Sequence, residues 1–527
     1  ILSEAPFSEA DIAAMGKGVD WQSEVFQNAP ISNHNINVSG GTDNVRYFIS
    51  GSAMMKDGLI HNSSYDKYNL RSSLDLKMSK MVSASLNMGY SLINQMNQSD
   101  GGGNGGSSMI GATYSAAPVF YPYDENGDYK DLRSWYSWSS HEIKNPICMA
   151  YESTYKTVTN LTNINAAINF QPVKGLSVKA TFGLEGSDSR YDAYTTKKYI
   201  YQNNSASVNH KRSTNVINED IVNYDFTVDK IHSFNLMGGF TYQQNVYKSI
   251  AASGNTFLSD VQQTNNLSSA GTVNTPSTSY SKWALMSYLG RINYSFNGKY
   301  LVTASFRADG SSRYSEGSRW GYFPSGSVAW AFGREAFISE NASWLSNGKL
   351  RISYGQTGNN RVGDFDYMAK LITSDDVYKY PWNSSFTPGF HISNKANSQL
   401  KWETTEQFDF GLDLGFLNGR INLTADYYIK TTKDLLLQAD VPGSSGFTSA
   451  TLNVGKLENK GLEVTLETIN MKNKKFSWTS NFNIAFNSNK ITALTEGKGE
   501  ITSYVSWDNK YKTMPAYVSR IGESAGK

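Results

Sequence analysis

The sequence is poor in the residue types on which most enzymes and small secreted domains depend. Its 527 residues include one cysteine, Cys148, so the chain cannot build an internal disulfide framework or a zinc site of clustered cysteines. It has 12 prolines, and its six histidines are scattered singly. The formal net charge of +2 gives no support to a nucleic-acid-binding groove. The sequence contains no HExxH, P-loop or GxSxG motif, and we expect no catalytic residue, no metal and no cofactor.

Long apolar runs are missing as well. The sequence contains no stretch of about 18 apolar residues, so it predicts no transmembrane helix. The mean hydropathy is −0.46 and 18% of the residues are charged, which suits a water-soluble protein. These values suit a transmembrane β-barrel equally well, because only every second strand residue of such a barrel meets lipid. Aromatic residues make up 13% of the chain, and tyrosine and phenylalanine favour strands.

The most informative feature that is present is a strict alternation of apolar and polar residues. In 407–416 one face is apolar, and the other is polar or glycine. A short turn at 418–420 follows, and the alternation resumes over 421–430. A period of two is typical of strands with one apolar and one polar face. By this criterion the chain contains about 16 strands, most of them about nine to fourteen residues long.

The connections between these strands fall into two classes that alternate along the chain. Most short connections have about two to seven residues, and Asn297-Gly298 is a strong signal for a two-residue hairpin. A longer member of this class, 334–347, leaves room for a short helix. In an up-and-down barrel every second connection lies at the same rim, and outer-membrane barrels combine short periplasmic turns with long extracellular loops. The long connections are 94–160, 188–215, 244–282, 359–400 and 490–527.

A soluble β-sandwich is the main structural alternative, because it too has alternating strands. Strands of soluble proteins typically have about five to six residues, whereas crossing a bilayer takes about nine to eleven. The polar face is polar throughout, as at Arg291 and Asn293, which leaves a sandwich no face to bury. We therefore predict an all-β fold: a transmembrane antiparallel up-and-down β-barrel with its polar face inward.

Several short motifs occur along the chain in a fixed order. Each motif alone is a weak signal of family membership, but six motifs together in one order are specific for a single family. They are Asp20-Trp21-Gln22 with 33–41; Arg307, Asp309, Gly310, Ser311, Ser312 and Arg313 within 307–314, followed by 321–325; Gly355, Thr357, Gly358 and Asn359; 402–404; 426–428; and 459–463. With these motifs the chain resembles the SusC/RagA family of TonB-dependent outer-membrane transporters of Bacteroidetes, from about Asp20 onward.

The resemblance implies a barrel of about 22 strands that is closed by a plug and driven by TonB–ExbB–ExbD. It also implies a SusD-like surface lipoprotein over the extracellular mouth. We find no plug, no TonB box and no final barrel strands in this sequence. We therefore expect an internal piece of a longer protein, with a lead-in segment at 1–33, about 16 of the strands at 34–489 and the start of a further loop at 490–527.

The long loop at 94–160 holds the candidate substrate-contact residues. After the glycine-rich stretch 101–106 it contains five aromatic residues: Tyr121, Tyr123, Trp135, Tyr136 and Trp138. Exposed rings stack on sugars or grip peptides, but aromatic rings also pack inside loops or form interfaces with partner subunits. We interpret 307–313 and 355–359 as structural motifs. In 307–314 an Asp-Gly turn and an Arg/Asp pair would brace the rim, and ligand contact by this motif is the alternative.

The resemblance predicts a receptor that imports large nutrients, oligosaccharides or oligopeptides, across the bacterial outer membrane. A siderophore or cobalamin receptor of the wider TonB-dependent class is the alternative within transport. A surface adhesin or secreted array of β domains is the alternative outside transport, and the alternating short and long connections argue against it. Both glycan and peptide remain open as cargo at this point.

Overall fold

The computed structural model of the protein describes residues 8–98, 108–133, 142–373, 379–382, 385–494, 499–505 and 514–525. None of the helices in these ranges has the length and hydrophobicity that crossing a membrane requires. The helices are α1 (Glu9–Met15), α2 (Trp21–Val25), α3 (Met109–Ser115), α4 (Pro146–Glu152) and α5 (Ala336–Ser339).

Long strands dominate the described residues. The first half of the chain forms β1 (Ile31–Gly41), β2 (Val45–Asp57), β3 (Ser64–Lys77), β4 (Val82–Asn97), β5 (Ser153–Phe170), β6 (Leu176–Thr195), β7 (Ser205–Val228), β8 (His232–Phe257) and β9 (Ala270–Val273). The second half forms β10 (Ser277–Phe296), β11 (Tyr300–Ser311), β12 (Trp320–Trp330), β13 (Leu345–Asn359), β14 (Leu371–Thr373), β15 (Lys379–Trp382), β16 (Ser385–Pro388), β17 (Phe390–Ile392), β18 (Glu403–Phe416), β19 (Ile421–Lys433), β20 (Leu436–Asp440), β21 (Ser449–Asn453), β22 (Lys456–Lys472), β23 (Ser477–Ala493), β24 (Glu500–Val505) and β25 (Met514–Arg520).

Seventeen of these strands form one antiparallel sheet in which neighbours in space follow one another along the chain. The order runs from β1 to β8, continues through β10, β11, β12, β13, β18, β19 and β22, and ends at β23, while the short β9 pairs with the end of β8. The pairs β14/β17, β15/β16, β20/β21 and β24/β25 form separate small hairpins. The predicted up-and-down antiparallel order is therefore confirmed.

The connections separate into two rims, as the alternation of short and long connections predicted. The short rim carries 42–44, 78–81, 171–175, 229–231, 297–299, 331–344, 417–420 and 473–476, and its one longer connection contains α5. The long rim carries 58–63, 98–152, 196–204, 258–276, 312–319, 360–402 and 434–455. Asn297 and Gly298 both have positive φ, at 50° and 65°, as a two-residue hairpin turn requires.

Strands extend further toward the long rim than the sequence pattern indicated. β6 continues to Thr195 and β7 begins at Ser205, so the connection is 196–204 rather than 188–215. Likewise, 258–276 replaces 244–282, and 98–152 replaces 94–160. Most of the added residues are polar, so the alternation that marks a half-apolar strand weakens while the backbone ladder continues.

The two faces of the sheet have opposite character, and the apolar face is the exposed one. Phe408 and Phe410 are 48% and 46% exposed, and Ile36 is 72% exposed. On the other face the Arg351 guanidinium bonds Asp413 at 2.8 and 2.9 Å and lies 2.9 Å from Asp426. A surface with this much exposed apolar area suits a hydrocarbon solvent, whereas the polar face suits a hydrated interior.

Buried apolar clusters occur where loops pack, at the long rim, within the described ranges. The largest is the helical cap, which we define as 8–30, 108–133 and 142–152. A second cluster joins a residue of β12 to the connections 312–319 and 360–402, and a third lies at the ends of β6, β7 and β8. The barrel wall needs no buried core of its own, because its apolar side chains face lipid.

The face assignment predicts the response to charge. Phe410→Lys should lower the free energy of unfolding in lipid vesicles by about 2–4 kcal/mol, because a cation would then face hydrocarbon. Ser353→Lys on the inner face, where Ser353 lies opposite Asp409, is the matched control and should change it by less than about 1 kcal/mol. Urea titration measures both, and equal destabilisation by the two variants would contradict the assignment.

Candidate functional site

The helical cap is assembled from three chain segments at the long rim. Trp21 is 3% exposed, and its Nε1 donates to the Ala117 carbonyl at 3.1 Å. The His61 amide donates to the Val25 carbonyl at 3.1 Å, which ties the connection 58–63 to α2. Because these bonds join residues far apart in sequence, the cap is one folded unit. Its buried apolar core consists of Trp21, Val25, Met109, Ala116, Phe120, Leu132, Ile143, Ile147 and Ala150.

Asn145 is the polar centre of the cap. Its side chain is fully buried, and Oδ1 accepts from the amides of Ile147 and Cys148, which caps the N-terminus of α4. Nδ2 donates to the Pro122 carbonyl at 2.7 Å and to the Lys130 carbonyl at 3.2 Å. Every hydrogen-bonding group of the amide is therefore used, as a buried amide requires. The arrangement fixes the aromatic stretch that begins at Tyr121 against α4.

Two of the five predicted contact residues lie on the surface of this cap. Tyr121 and Tyr123 are 49% and 43% exposed. The Tyr123 ring lies 5.2 Å from that of Tyr129, and the Tyr129 hydroxyl donates to Glu152 at 2.9 Å. Burial and the neighbouring carboxylate raise the pKa of Tyr129 well above its ordinary value. Tyr121 thus offers an exposed ring, whereas the Tyr123 ring lies against Tyr129. Trp135, Tyr136 and Trp138 lie outside the described residues.

Aromatic residues of the next long-rim connection join the cap, and the sequence did not single them out. The Tyr201 ring lies 4.8 Å from the Arg133 guanidinium, and the backbone N–H of Asn145 donates to the Tyr201 hydroxyl. Arg133 also holds Asp131 at 2.8 Å, and that hydrogen bond lowers the pKa of Asp131. Burial raises the pKa of the neighbouring Tyr199 to about 12. Tyr199 and Tyr201 both lie in the connection 196–204. Their close spacing there is the sequence signal that could have identified them as functional residues.

The motif at 307–313 forms a network at the upper end of β11. Arg307 Nε donates to both carboxylate oxygens of Asp309, at 2.7 and 2.9 Å, and its Nη2 donates to Ser287 Oγ at 3.0 Å. Asp309 is 7% exposed and Ser287 is fully buried. Ser312 Oγ accepts from the Ala284 amide at 2.8 Å. These bonds fasten the end of β11 to β10, which continues in the sheet to Ser277.

Arg313 reaches from this network into the connection 360–402. Its Nε donates to Asp364 at 2.7 Å, and Ser281 donates to the other oxygen of that carboxylate. The guanidinium also lies 4.8 Å from the Trp283 ring. Asn360 Nδ2 donates to Ser311 Oγ at 3.3 Å, which adds a second bond between the two connections. The motif therefore holds a long loop by its base.

A buried aromatic cluster lies beneath these polar bonds. Tyr314 is fully buried with its ring 5.5 Å from that of Trp402, which in turn lies 5.5 Å from Phe323. Trp402 Nε1 donates to the Arg319 carbonyl at 2.8 Å. Gly358 lies against the Phe323 ring so closely that a Cβ would overlap it. Three separate sequence motifs, at 307–314, 355–359 and 402–404, thus meet at one place.

Most polar groups of the two motifs are used within the protein. Asn359 Nδ2 donates to Glu403 at 3.2 Å, and Ser311 Oγ accepts from the Arg313 amide. Gly310 and Gly355 lie against Trp320 and Ser325, respectively. Thr357 lies opposite Thr405 in the sheet. The arrangement is suited to bracing the rim, and the exposed aromatic rings of the cap are better placed to meet a ligand.

The described residues contain no group of three or more His, Cys, Asp or Glu side chains arranged to hold a metal ion. Cys148 is buried in α4, and burial raises the pKa of its thiol to about 11. A thiol with that pKa is protonated at neutral pH and is a poor nucleophile.

Residues 91–521 match the family model described as TonB dependent receptor-like, beta-barrel. TonB-dependent receptor P3 of Formosa agariphila is 32% identical over 486 residues, which cover 91% of this chain and 47% of that protein. TonB-dependent receptor SusC of Bacteroides thetaiotaomicron is 29% identical over 503 residues, with 91% and 49% covered. A solved structure of the RagAB peptide transporter superposes with a TM-score of 0.83 at 24% identity, covering 96% of this chain and 55% of that one. The chain thus spans about half the length of the curated relatives it matches.

The close approach at Gly358 predicts that the base of the loop 360–402 does not tolerate a methyl group. Gly358→Ala should destabilise the rim by about 1–3 kcal/mol, because Phe323 is packed against Trp402 and cannot move aside. Faster proteolysis within 360–402 measures the effect. Gly317→Ala is the matched control, since nothing lies within 4 Å of the added Cβ. Equal cleavage rates in the two variants would show that the packing is dispensable.

Proposed function

Because this chain belongs to the TonB-dependent receptor-like β-barrel family, whose members lie in the bacterial outer membrane, we propose that it forms the wall of an active nutrient importer. The chain is an outer-membrane protein and not an enzyme. The observation that carries the proposal is the pairing of an exposed apolar outer face with a polar inner face below an elaborated long rim. In this assignment residues 34–489 are the barrel strands with their extracellular loops, and 1–33 lead into them.

The proposed cargo is a large nutrient, an oligosaccharide or an oligopeptide. One matched structure is titled a peptide transporter and one relative is named SusC, so the names of the relatives support a SusC-like importer. A long rim that carries a folded cap and two elaborated loops, 360–402 and 434–455, suits a cargo larger than a single metal complex. A siderophore or cobalamin receptor is the alternative within transport.

Cargo contact is assigned to the aromatic residues of the cap. Tyr121 carries this assignment among the described residues, because its ring is half exposed on a cap that Asn145 holds rigid. A rigid, exposed ring binds a sugar or peptide face without a large loss of conformational entropy. Tyr123 and, from the sequence alone, Trp135, Tyr136 and Trp138 are assigned the same contact. The motif residues hold the neighbouring loop in place and do not contact the cargo.

The proposed partners follow from the family. A SusD-like lipoprotein covers the long rim, and TonB–ExbB–ExbD supplies the energy. The chain spans about half of its relatives, so we assign the plug and the TonB contact to the part of the receptor outside these residues. The outer-membrane lipid surrounds the apolar face.

The first experiment is purification of the receptor at its natural length from outer membranes in mild detergent. Mass spectrometry should find a SusD-like lipoprotein and a bound glycan or peptide, which would also name the cargo. A bound siderophore or cobalamin without a lipoprotein would favour the alternative receptor class. Recovery of the protein as a water-soluble chain without partner or cargo would contradict the importer.

The contact surface is tested by uptake. Tyr121→Ala, and the double variant Trp135→Ala with Trp138→Ala, should each raise the concentration for half-maximal uptake by about tenfold, as loss of an aromatic anchor does. Phe337→Ala is the control, since Phe337 is 60% exposed on α5 at the short rim. Unchanged uptake in the cap variants, with the lipoprotein complex intact, would rule out cargo contact by these rings.

A further inference from the structure

The outer face of the sheet changes character above the apolar band on β5, β6, β7, β8 and β10. One row across these strands is still largely apolar: Ile164, Leu184, Val216, Gln244 and Ala284. Four residues further toward the long rim, the corresponding row is Asn160, Asp188, Arg212, Lys248 and Tyr280. The same outward face therefore passes from apolar to charged over a short distance.

Five cations share this outward face: Lys156, Arg190, Arg212, Lys248 and Lys282, which we call the outer basic patch. Their orientation follows from strand alternation. Each has the parity of an exposed apolar residue on its own strand, namely Ile168, Phe182, Val222, Ile250 and Tyr288. The pairings of these strands contain no bulge that would reverse a face. The patch therefore faces away from the barrel interior.

The patch holds more positive charge than the protein neutralises. Arg212 and Lys248 lie directly opposite each other on neighbouring strands, an arrangement that destabilises a sheet unless an anion intervenes. Lys248 Nζ lies 6.0 Å from the Tyr280 ring, which leaves the ammonium accessible. Within the described ranges, no carboxylate lies within ion-pair distance of Arg212, Lys248 or Lys282.

The two nearby acids bond groups other than Arg212, Lys248 and Lys282. Asp188 lies opposite Arg212 in the sheet, but its carboxylate bonds His210 Nε2 at 3.0 Å. Asp192 bonds Arg190 at 2.9 Å, in a pair whose Arg190 side chain is half exposed. The excess charge at Arg212, Lys248 and Lys282 is thus left for a ligand or for solvent.

The surface here is concave rather than flat. Beside Arg212, Lys248 and Lys282, a cavity of about 730 Å³ opens on this face, lined by Lys156, Arg190, His210 and the acids Asp188 and Asp192 on the strands and by Gln263–Asn265 on the connection above. Tyr194 is buried beneath that connection and donates to Asp260 at 2.6 Å, which holds it against the strands. The long-rim connection thereby forms a ledge beside Lys156 and Arg190, at one side of the outer basic patch.

The height of the patch matches the headgroup layer of the outer leaflet. The four residues from Gln244 to Lys248 span about 13 Å along a strand, or about 10 Å along the membrane normal for a strand tilted by about 40°. Lys282 lies one row lower, next to the last apolar row. Basic residues at this level attract anionic lipid headgroups.

We propose that the outer basic patch binds the phosphate-bearing headgroup of an outer-leaflet lipid. The occupant is a membrane lipid rather than cargo, because the patch faces outward and continues directly from the lipid-facing band. Phosphate oxygens between Arg212 and Lys248 relieve the repulsion between these side chains, and Lys282 contacts the headgroup from below.

The test compares two triple variants of the receptor at its natural length, purified from outer membranes. The patch variant is Arg212→Gln, Lys248→Gln and Lys282→Gln. The control removes the same charge from the inner face, by Lys67→Gln, Lys179→Gln and Lys211→Gln. Phosphorylated lipid that copurifies with the receptor, quantified by mass spectrometry, should fall by about tenfold or more in the patch variant and remain unchanged in the control. Equal lipid content in the two variants would overturn the proposal.

The unmodified receptor gives a second measurement that does not depend on how the variants fold. In phosphatidylcholine vesicles doped with lipid A, retained lipid A should decrease with rising salt and should exceed retained dephosphorylated lipid A. Inorganic phosphate should displace it only weakly, because it lacks the acyl chains that lie against the apolar band. Retention independent of salt and of phosphorylation, or full displacement by inorganic phosphate, would show that no lipid headgroup site exists there.

Discussion

The structure depends on one constraint, the reversal of the usual relation between protein and solvent. Phe408, Phe410 and their equivalents lie on the outside, where hydrocarbon accepts them, and Arg351 with Asp413 lies on the inside, where water does. The backbone polar groups are then satisfied by the ladder between strands, since hydrocarbon offers no hydrogen-bonding partner. A wall built in this way needs neither a buried core nor apolar side chains on both faces. That is why the buried clusters of the described residues are found among loops at one rim.

The same constraint gives the wall and the rim different sources of stability. The orientation of side chains in the wall is fixed by hydrocarbon on one face and water on the other. Side chains of the rim are held in place by contacts with one another. Asn145 satisfies its whole amide inside the helical cap, and Arg313 joins two connections through Asp364. The rim is thus a set of small folded units on a shared base, and the chemistry that distinguishes one receptor of this family from another is expected there rather than in the wall.

Much of the wall could be predicted from the sequence, because alternation is a local signal. The faces of 407–416, the Asn297-Gly298 turn and the two classes of connection follow from neighbouring residues alone. The long-rim ends of β6 and β7 could not be predicted in this way, because most of their residues are polar and show no alternation of apolar and polar faces. Nor could the partners of Arg313 be found, because Trp283 and Asp364 are 30 and 51 residues away and meet it only in the folded protein. The exposure of Tyr121, and the contact of the Tyr123 ring with Tyr129, were likewise set by tertiary packing.

The up-and-down order has a consequence for how the chain folds. Every long strand hydrogen-bonds to strands adjacent along the chain, so each step of assembly can be the closure of a hairpin onto an existing edge. Closure entropy grows only with the logarithm of loop length, and the short-rim turns make half of these steps inexpensive. The remaining steps must close over connections such as 98–152 and 360–402. When those connections fold into the helical cap and the Tyr314–Trp402 cluster, the loops that remain to be closed become shorter. The order in which the rim units fold therefore sets the rate at which the strands of the wall pair.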